Sequence, residues 1–181
     1  QALREQKVDR DTQLDIFLVD NASTDGTKEW IDGMVSAGDA EDRRIYATHL
    51  AENTGGAGGF YTGMKWAYEH GADAIWIMDD DTIPQADALQ KLLDGMMCVA
   101  PQDEIGFVSS TVLWTDGSPC QMNRQHYVGQ EVTVSGKGAE ESALTLQAVD
   151  SATFVSLLFT RVAVENKGLP VKEYFIWGDD K

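Results

Sequence analysis

Ala74-Ile75-Trp76-Ile77-Met78-Asp79-Asp80-Asp81 is the stretch whose reading decides the fold. Apolar residues in a row, followed by three carboxylates, have the length and flanks of a strand buried on both faces in a parallel sheet. Just downstream, Thr82 and Gln85 stand at capping-box spacing, and Leu89, Leu92, Leu93, Met96 and Met97 recur at helical intervals. A helix starting near Ile83 is therefore expected, with the aspartates between it and the carboxyl end of the strand.

The same pattern occurs twice upstream. Ile16-Phe17-Leu18-Val19 reads as a buried strand ending at Asp20; the turn formers Asn21-Ala22-Ser23-Thr24-Asp25-Gly26 follow, and Trp30, Ile31 and Met34 then recur at helical spacing. Ile45 to Leu50 reads as a second strand, and the glycine-rich segment Asn53 to Gly59 leads into a helix with Phe60, Met64, Ala67 and Tyr68 on its buried face and Gly71 closing it. Strands alternating with helices predict an α/β sheet whose ligands gather at the carboxyl ends of its strands. Asp20, Asn53 and Asp79 to Asp81 all lie at such ends.

The second half changes character. Ile105 to Trp114, Tyr127 to Val134 and Leu144 to Thr160 are rich in Val, Thr and Phe and lack helical stripes, so mixed or antiparallel strands are expected. No repeat or low-complexity linker divides residues 1–181, and one domain is expected.

Composition narrows the function. Of 181 residues, 43% are hydrophobic and 24% charged, as in ordinary globular proteins, but the net charge is -16. That charge argues against a grip on DNA or RNA, which needs clustered Lys and Arg. Scattered carboxylates such as Glu140 and Glu141 serve solubility; the clustered ones need another explanation. Cys98 and Cys120 have neither CxxC spacing nor histidine pairs nearby, so a reducing cytosolic setting without structural zinc or disulfides is expected. No apolar run approaches the roughly 20 residues of a membrane span. The chain opens at Gln1 and ends at Lys181 just after an apolar-acidic segment, and is expected to be a trimmed piece.

Three adjacent carboxylates repel one another unless a cation or protons intervene. Mg²⁺ prefers carboxylate oxygens and completes its shell with substrate phosphates, and Mn²⁺ accepts the same ligands. On an extended chain Asp79 and Asp81 share one face and Asp80 points away, which assigns Asp79 and Asp81 to the metal and nucleotide. The plainer alternative is an acidic loop capping the next helix. Asn53-Thr54-Gly55-Gly56-Ala57-Gly58-Gly59 lets backbone come close to a ligand and offers N–H groups to phosphate, although such glycines also serve tight packing; it has neither the lysine of a P-loop nor the order of a dinucleotide site. Tyr174-Phe175-Ile176-Trp177-Gly178-Asp179-Asp180 sets paired carboxylates, one of which could act as general base, beside aromatic faces suited to a sugar ring; a polar chain end is the alternative there. His49, His70 and His126 are scattered and are read as structural or surface residues.

Taken together, Val19 to Thr27, Glu52 to Gly59 and Met78 to Asp81 resemble the inverting glycosyltransferases of family two. Within that family, Gly55 to Phe60 and Trp177-Gly178-Asp179-Asp180 are most similar to galactofuranosyltransferase-like and rhamnosyltransferase-like members. The resemblance implies the GT-A fold, a Rossmann-like three-layer α/β sandwich with a mixed, mainly parallel sheet. It implies that Asp20, Asn21, Ser23, Asp25, Asn53, Gly55, Gly56, Asp79 and Asp80 contact the nucleotide-sugar donor and that Asp79 and Asp81 hold Mn²⁺ or Mg²⁺. Trp177 would meet the acceptor and Asp180, paired with Asp179, would be the catalytic base.

The implied donor is of the UDP-galactofuranose or dTDP-rhamnose class, and the acceptor a cell-wall or surface glycan, free or lipid-linked. No nucleic acid partner is expected. The setting implied is cytoplasmic, or the cytoplasmic face of the membrane, with any peripheral attachment made by parts outside this chain. The family's first strand and the acidic residue that follows the base are also expected outside it. Two rivals lead elsewhere. A nucleotidyltransferase should carry a basic glycine-rich loop near its start, and none is visible. An acidic Ca²⁺-binding module should repeat its ligands at alternating positions in one loop, whereas here they are spread over three strand ends.

Overall fold

In the computed structural model, which describes residues 1–37, 43–99, 105–135 and 143–175, Ile16–Asp20 (β1) and Ile45–His49 (β2) pair in parallel, in register from Ile16 with Ile45 to Asp20 with His49. A parallel return needs a crossover, and the helix Thr27–Ser36 (α1) supplies it. Gly26, at φ 91, makes the left-handed step into α1 that a side chain would resist. Ile31 buries the inner face of this helix; Trp30, at 64% exposure, faces solvent, so the apolar stripe is narrower than the sequence suggests.

The helix Gly55–Glu69 (α2) begins inside the glycine-rich segment rather than after it. Met64 is buried, and Trp66 stacks on Phe17 with ring centres 4.3 Å apart, which fastens α2 to β1. Gly71, at φ 81, ends the helix: its N–H donates to the Tyr68 carbonyl at 3.2 Å and that of Ala72 to Ala67 at 3.1 Å. The closing role expected of Gly71 holds.

The described residues within Arg10–Ala72 and Leu169–Asp179 form one compact unit, and those within Gln1–Asp9 and Asp73–Gly168 another. In the second unit, Leu157–Thr160 (β7) lies between Ala74–Ile77 (β3) and Phe107–Ser109 (β4) and runs antiparallel to both. His126–Ser135 (β5) and Ala143–Ser151 (β6) form an antiparallel pair. The antiparallel character expected of the second half is present. A mainly parallel sheet is not: among the described residues β1 and β2 are the parallel pair. The reason is connectivity, since among the described residues no helix lies between β4 and β7 to make the crossover that a parallel pairing of these neighbours would need. Nor is β3 buried on both faces, for Ile75 and Ile77 are buried while Ala74 and Trp76 are half-buried, and it ends one residue before Met78.

The helix Ala88–Cys98 (α3) starts later than Thr82 and Gln85 suggest, and its first turn carries no side-chain bond from its own N-cap, Asp87. Ile83 precedes Pro84, whose ring disfavours helical backbone at the residue before it, and Ile83 is 83% exposed. The cap comes instead from Gln6, which is almost wholly buried. Its Oε1 accepts the Leu89 N–H at 3.0 Å, and its Nε2 donates to the carbonyls of Gln85 at 2.8 Å and Ala2 at 3.2 Å. Leu89 and Leu92 are buried as expected, but Met97 is half exposed. Gln6→Ala is expected to cost about 1–3 kcal/mol, because it strands buried backbone groups. Urea unfolding should show this loss, and Thr82→Ala should change the midpoint little.

Candidate functional site

The carboxyl ends of β1 and β2 carry a connected polar cluster. Asp20, 4% exposed, accepts the Ser23 N–H at 3.0 Å on one oxygen and faces His49 Nδ1 at 2.8 Å on the other. His49 Nε2 lies 2.9 Å from the Asp32 carboxylate on α1. With a carboxylate at each ring nitrogen, both nitrogens donate when the ring is protonated, so the site favours the imidazolium. The Ser23 hydroxyl first, then His49, lower the Asp20 carboxyl to about 2, and Asp20 and Asp32 together raise His49 above the usual imidazole value. The hydroxyl and N–H of Thr27 likewise hold Asp25 below the usual carboxylate range. Ala22 within this loop has φ 61, which a residue with a side chain adopts only when its neighbours fix it.

Asn21 ties this loop to the start of α2. Its Oδ1 accepts the Thr54 N–H at 2.8 Å and the Thr54 hydroxyl at 3.0 Å, while its Nδ2 donates to Asn53 Oδ1 at 3.1 Å and to the Gly55 carbonyl at 2.9 Å. Asn53 Oδ1 also accepts the Gly55 N–H at 2.8 Å. The structure thus brings together Asp20, Asn21, Ser23, Asn53 and Gly55 as one bonded array, with Asp25 and exposed Gly56 beside it in the chain.

The glycines of this segment are packed closely. A Cβ on Gly55 would overlap the Phe175 carbonyl, and one on Gly58 would overlap the Thr54 hydroxyl. Alongside lies an open cleft of about 560 Å³ bordered by Leu50, Glu52, Asn53, Tyr61 and Lys172.

In the other unit, Asp79, Asp80 and Asp81 are all exposed directly after β3. The Thr82 N–H donates to the Asp79 carbonyl at 3.2 Å, so the aspartates lie in a turn rather than on extended chain. The alternation that put Asp79 and Asp81 on one face does not apply there. Among the described residues no three His, Cys, Asp or Glu side chains are assembled to hold an ion. Exposed carboxylates of this kind would suit a hard cation that arrives with phosphate oxygens to complete its shell.

Trp177, Asp179 and Asp180 lie outside the described residues. The residues that sequence reasoning passed over are His49 and Asp32. The signal for His49 was available: aligning the two parallel strands places it opposite Asp20.

Comparison with known proteins agrees with this arrangement. The chain is 34% identical over 82 residues to an undecaprenyl-phosphate mannosyltransferase of Micrococcus luteus, covering 45% of this chain and 32% of the relative. It is 29% identical over 171 residues to a galactofuranosyltransferase of Mycolicibacterium smegmatis, covering 91% of this chain and 52% of the relative. The chain therefore spans about half or less of the length of these relatives. No solved structure matches it. The sequence pattern of glycosyl transferase family 2 matches residues 1–97, a stretch that contains the Asp20 loop, the glycine-rich turn and the Asp79–Asp81 turn; the chain belongs to glycosyl transferase family 2.

Proposed function

We propose that this chain is the donor-binding and catalytic part of an inverting glycosyltransferase with a three-layer GT-A arrangement. The observation that carries the reading is the bonded array at the carboxyl ends of β1 and β2, from Ser23 through Asp20 and Asn21 to Asn53 and Gly55. Ligands of open α/β sheets bind at such ends, and the array lies within the family match. The donor is a nucleoside-diphosphate sugar of the UDP-galactofuranose or dTDP-rhamnose class, the first supported by the galactofuranosyltransferase relative. The acceptor is a cell-wall or surface glycan; the relative named for undecaprenyl phosphate favours a lipid-linked one. Among the described residues no helix is long and apolar enough to cross a membrane. We place the reaction in the cytoplasm, at the membrane face where such an acceptor would be met.

In this mechanism Asp20, Asn21, Ser23 and Asp25 fix the loop that receives the nucleoside. Asp79 and Asp81 would hold Mn²⁺ or Mg²⁺, which supplies positive charge to the departing diphosphate. Asp180 takes the proton of the acceptor hydroxyl, whose oxygen attacks the anomeric carbon from the face opposite the diphosphate and inverts it.

The reading is tested by titrating UDP-sugars and dTDP-sugars into the protein by calorimetry, with Mn²⁺ or Mg²⁺ and then with excess chelator. Binding is expected only with metal present. Equal affinity in both conditions would remove the metal from the proposal, and no binding of any nucleotide sugar would sink the function.

A further inference from the structure

The first turn of α2 is occupied by the chain itself. The Ala57 N–H donates to the Phe175 carbonyl at 3.1 Å, and Gly55 is the position where any side chain would collide with that carbonyl and with the Phe175 ring. Phe175 has φ 62, a left-handed backbone that an aromatic residue keeps only under constraint. The short 3-10 turn Lys172–Tyr174 that delivers it packs on the same helix, with the Lys172 ammonium 5.3 Å from the centre of the Tyr61 ring. Two further N–H groups at this start are also engaged, that of Thr54 by Asn21 and that of Gly55 by Asn53. A phosphate gripping this turn would compete for N–H groups that already have partners. The lack of a side chain at Gly55 is accounted for by the close approach of Phe175, and Asp179 and Asp180 follow only four and five residues later.

We propose that Gly55-Gly56-Ala57 is a seat for the Phe175 carbonyl that sets where the chain leading to Asp180 begins. Gly55 and Phe175 are then positioning residues acting through the base, which rests on the function proposed above. The glycines serve catalysis by admitting another part of the chain, and the donor does not touch Gly55.

The test uses Gly55→Ala, Phe175→Pro, Phe175→Gly and Gly59→Ala in the full-length protein, reading amide hydrogen exchange at Ala57 together with kcat and donor KM. Proline cannot adopt positive φ, so Phe175→Pro breaks the seat without touching the glycines. Glycine adopts it without strain, so Phe175→Gly keeps the seat. A Cβ at Gly59 meets nothing within 4 Å, which makes Gly59→Ala the control.

Gly55→Ala and Phe175→Pro are expected to speed exchange at Ala57 by about tenfold or more. They should also lower kcat by about 10²-fold, with donor KM within about twofold of wild type. Phe175→Gly should keep exchange at Ala57 slow, Gly59→Ala should stay near wild type throughout, and slow exchange in β1 and β2 checks that the unit remains folded. A raised donor KM with unchanged kcat in Gly55→Ala would overturn the proposal, because it would put Gly55 at the donor. Unchanged exchange at Ala57 in both disrupting variants would overturn it too. If the wild-type protein transfers no sugar, the proposed function fails while exchange at Ala57 still decides whether the seat exists.

Discussion

Asp180→Asn in the full-length protein is expected to lower sugar transfer by about 10²–10⁴-fold while donor affinity stays within about twofold. An acceptor hydroxyl is a weak nucleophile until a base takes its proton, and asparagine cannot take it. Donor recognition is assigned to other residues, those around Asp20, Asn53 and Asp79, so the ground state should be little affected. Rate measurements at saturating donor, paired with calorimetry, separate the two effects. Loss of transfer and donor binding together would make Asp180 a structural support rather than a base.

The second large effect is on stability. Asp20→Asn is expected to cost about 1.5–3 kcal/mol near pH 5, because it removes a charge that accepts from Ser23 and leaves the His49 imidazolium without its more buried partner. The pH dependence has two limbs. Asp20 has its folded value lowered from 3.8 to about 2, so its contribution is complete above 3.8 and is lost as the pH falls toward 2. His49 has its folded value raised above 6.5, so its contribution is complete below 6.5 and is lost as the pH rises through that raised value. The gap between wild type and variant should therefore be widest between pH 3.8 and 6.5 and shrink on both sides. Urea unfolding across this range reads it directly; a gap that does not vary with pH would show that the Asp20–His49 pair adds nothing as a charge pair.

Much of the first half was legible because its signals are local. The apolar runs at Ile16 and Ile45, the turn formers after Asp20 and the left-handed glycine at Gly71 each act within a few residues, and β1, α1, β2 and the end of α2 fall where these place them, while α2 starts earlier, within the glycine-rich segment. What could not be read depends on partners far along the chain. The cap of α3 comes from Gln6, 83 residues before Leu89, and outweighs the local pair Thr82 and Gln85 once Pro84 bars an earlier start. The partner of β3 is β7, some 80 residues on and antiparallel to it, which no periodicity within β3 reveals. His49 looked incidental because its two carboxylates come from different elements, 29 and 17 residues away. The glycine-rich turn was read as offering N–H groups to phosphate or as tight packing, and the partner that takes the Ala57 N–H, Phe175, lies across a sequence gap that local pattern cannot bridge.

The dependence of α3 on Gln6 bears on how the chain is made. Gln1–Asp9 leaves the ribosome before the rest of its unit, which resumes only at Asp73, and the other unit is interrupted in turn until Leu169. Neither can be finished during synthesis until at least Gly168 has emerged, so Gln6 must wait, with its amide in water, for a helix translated some 80 residues later. No single cleavage yields either unit whole, and a nick after Asp9 would take the cap from α3 while leaving every residue of the helix in place.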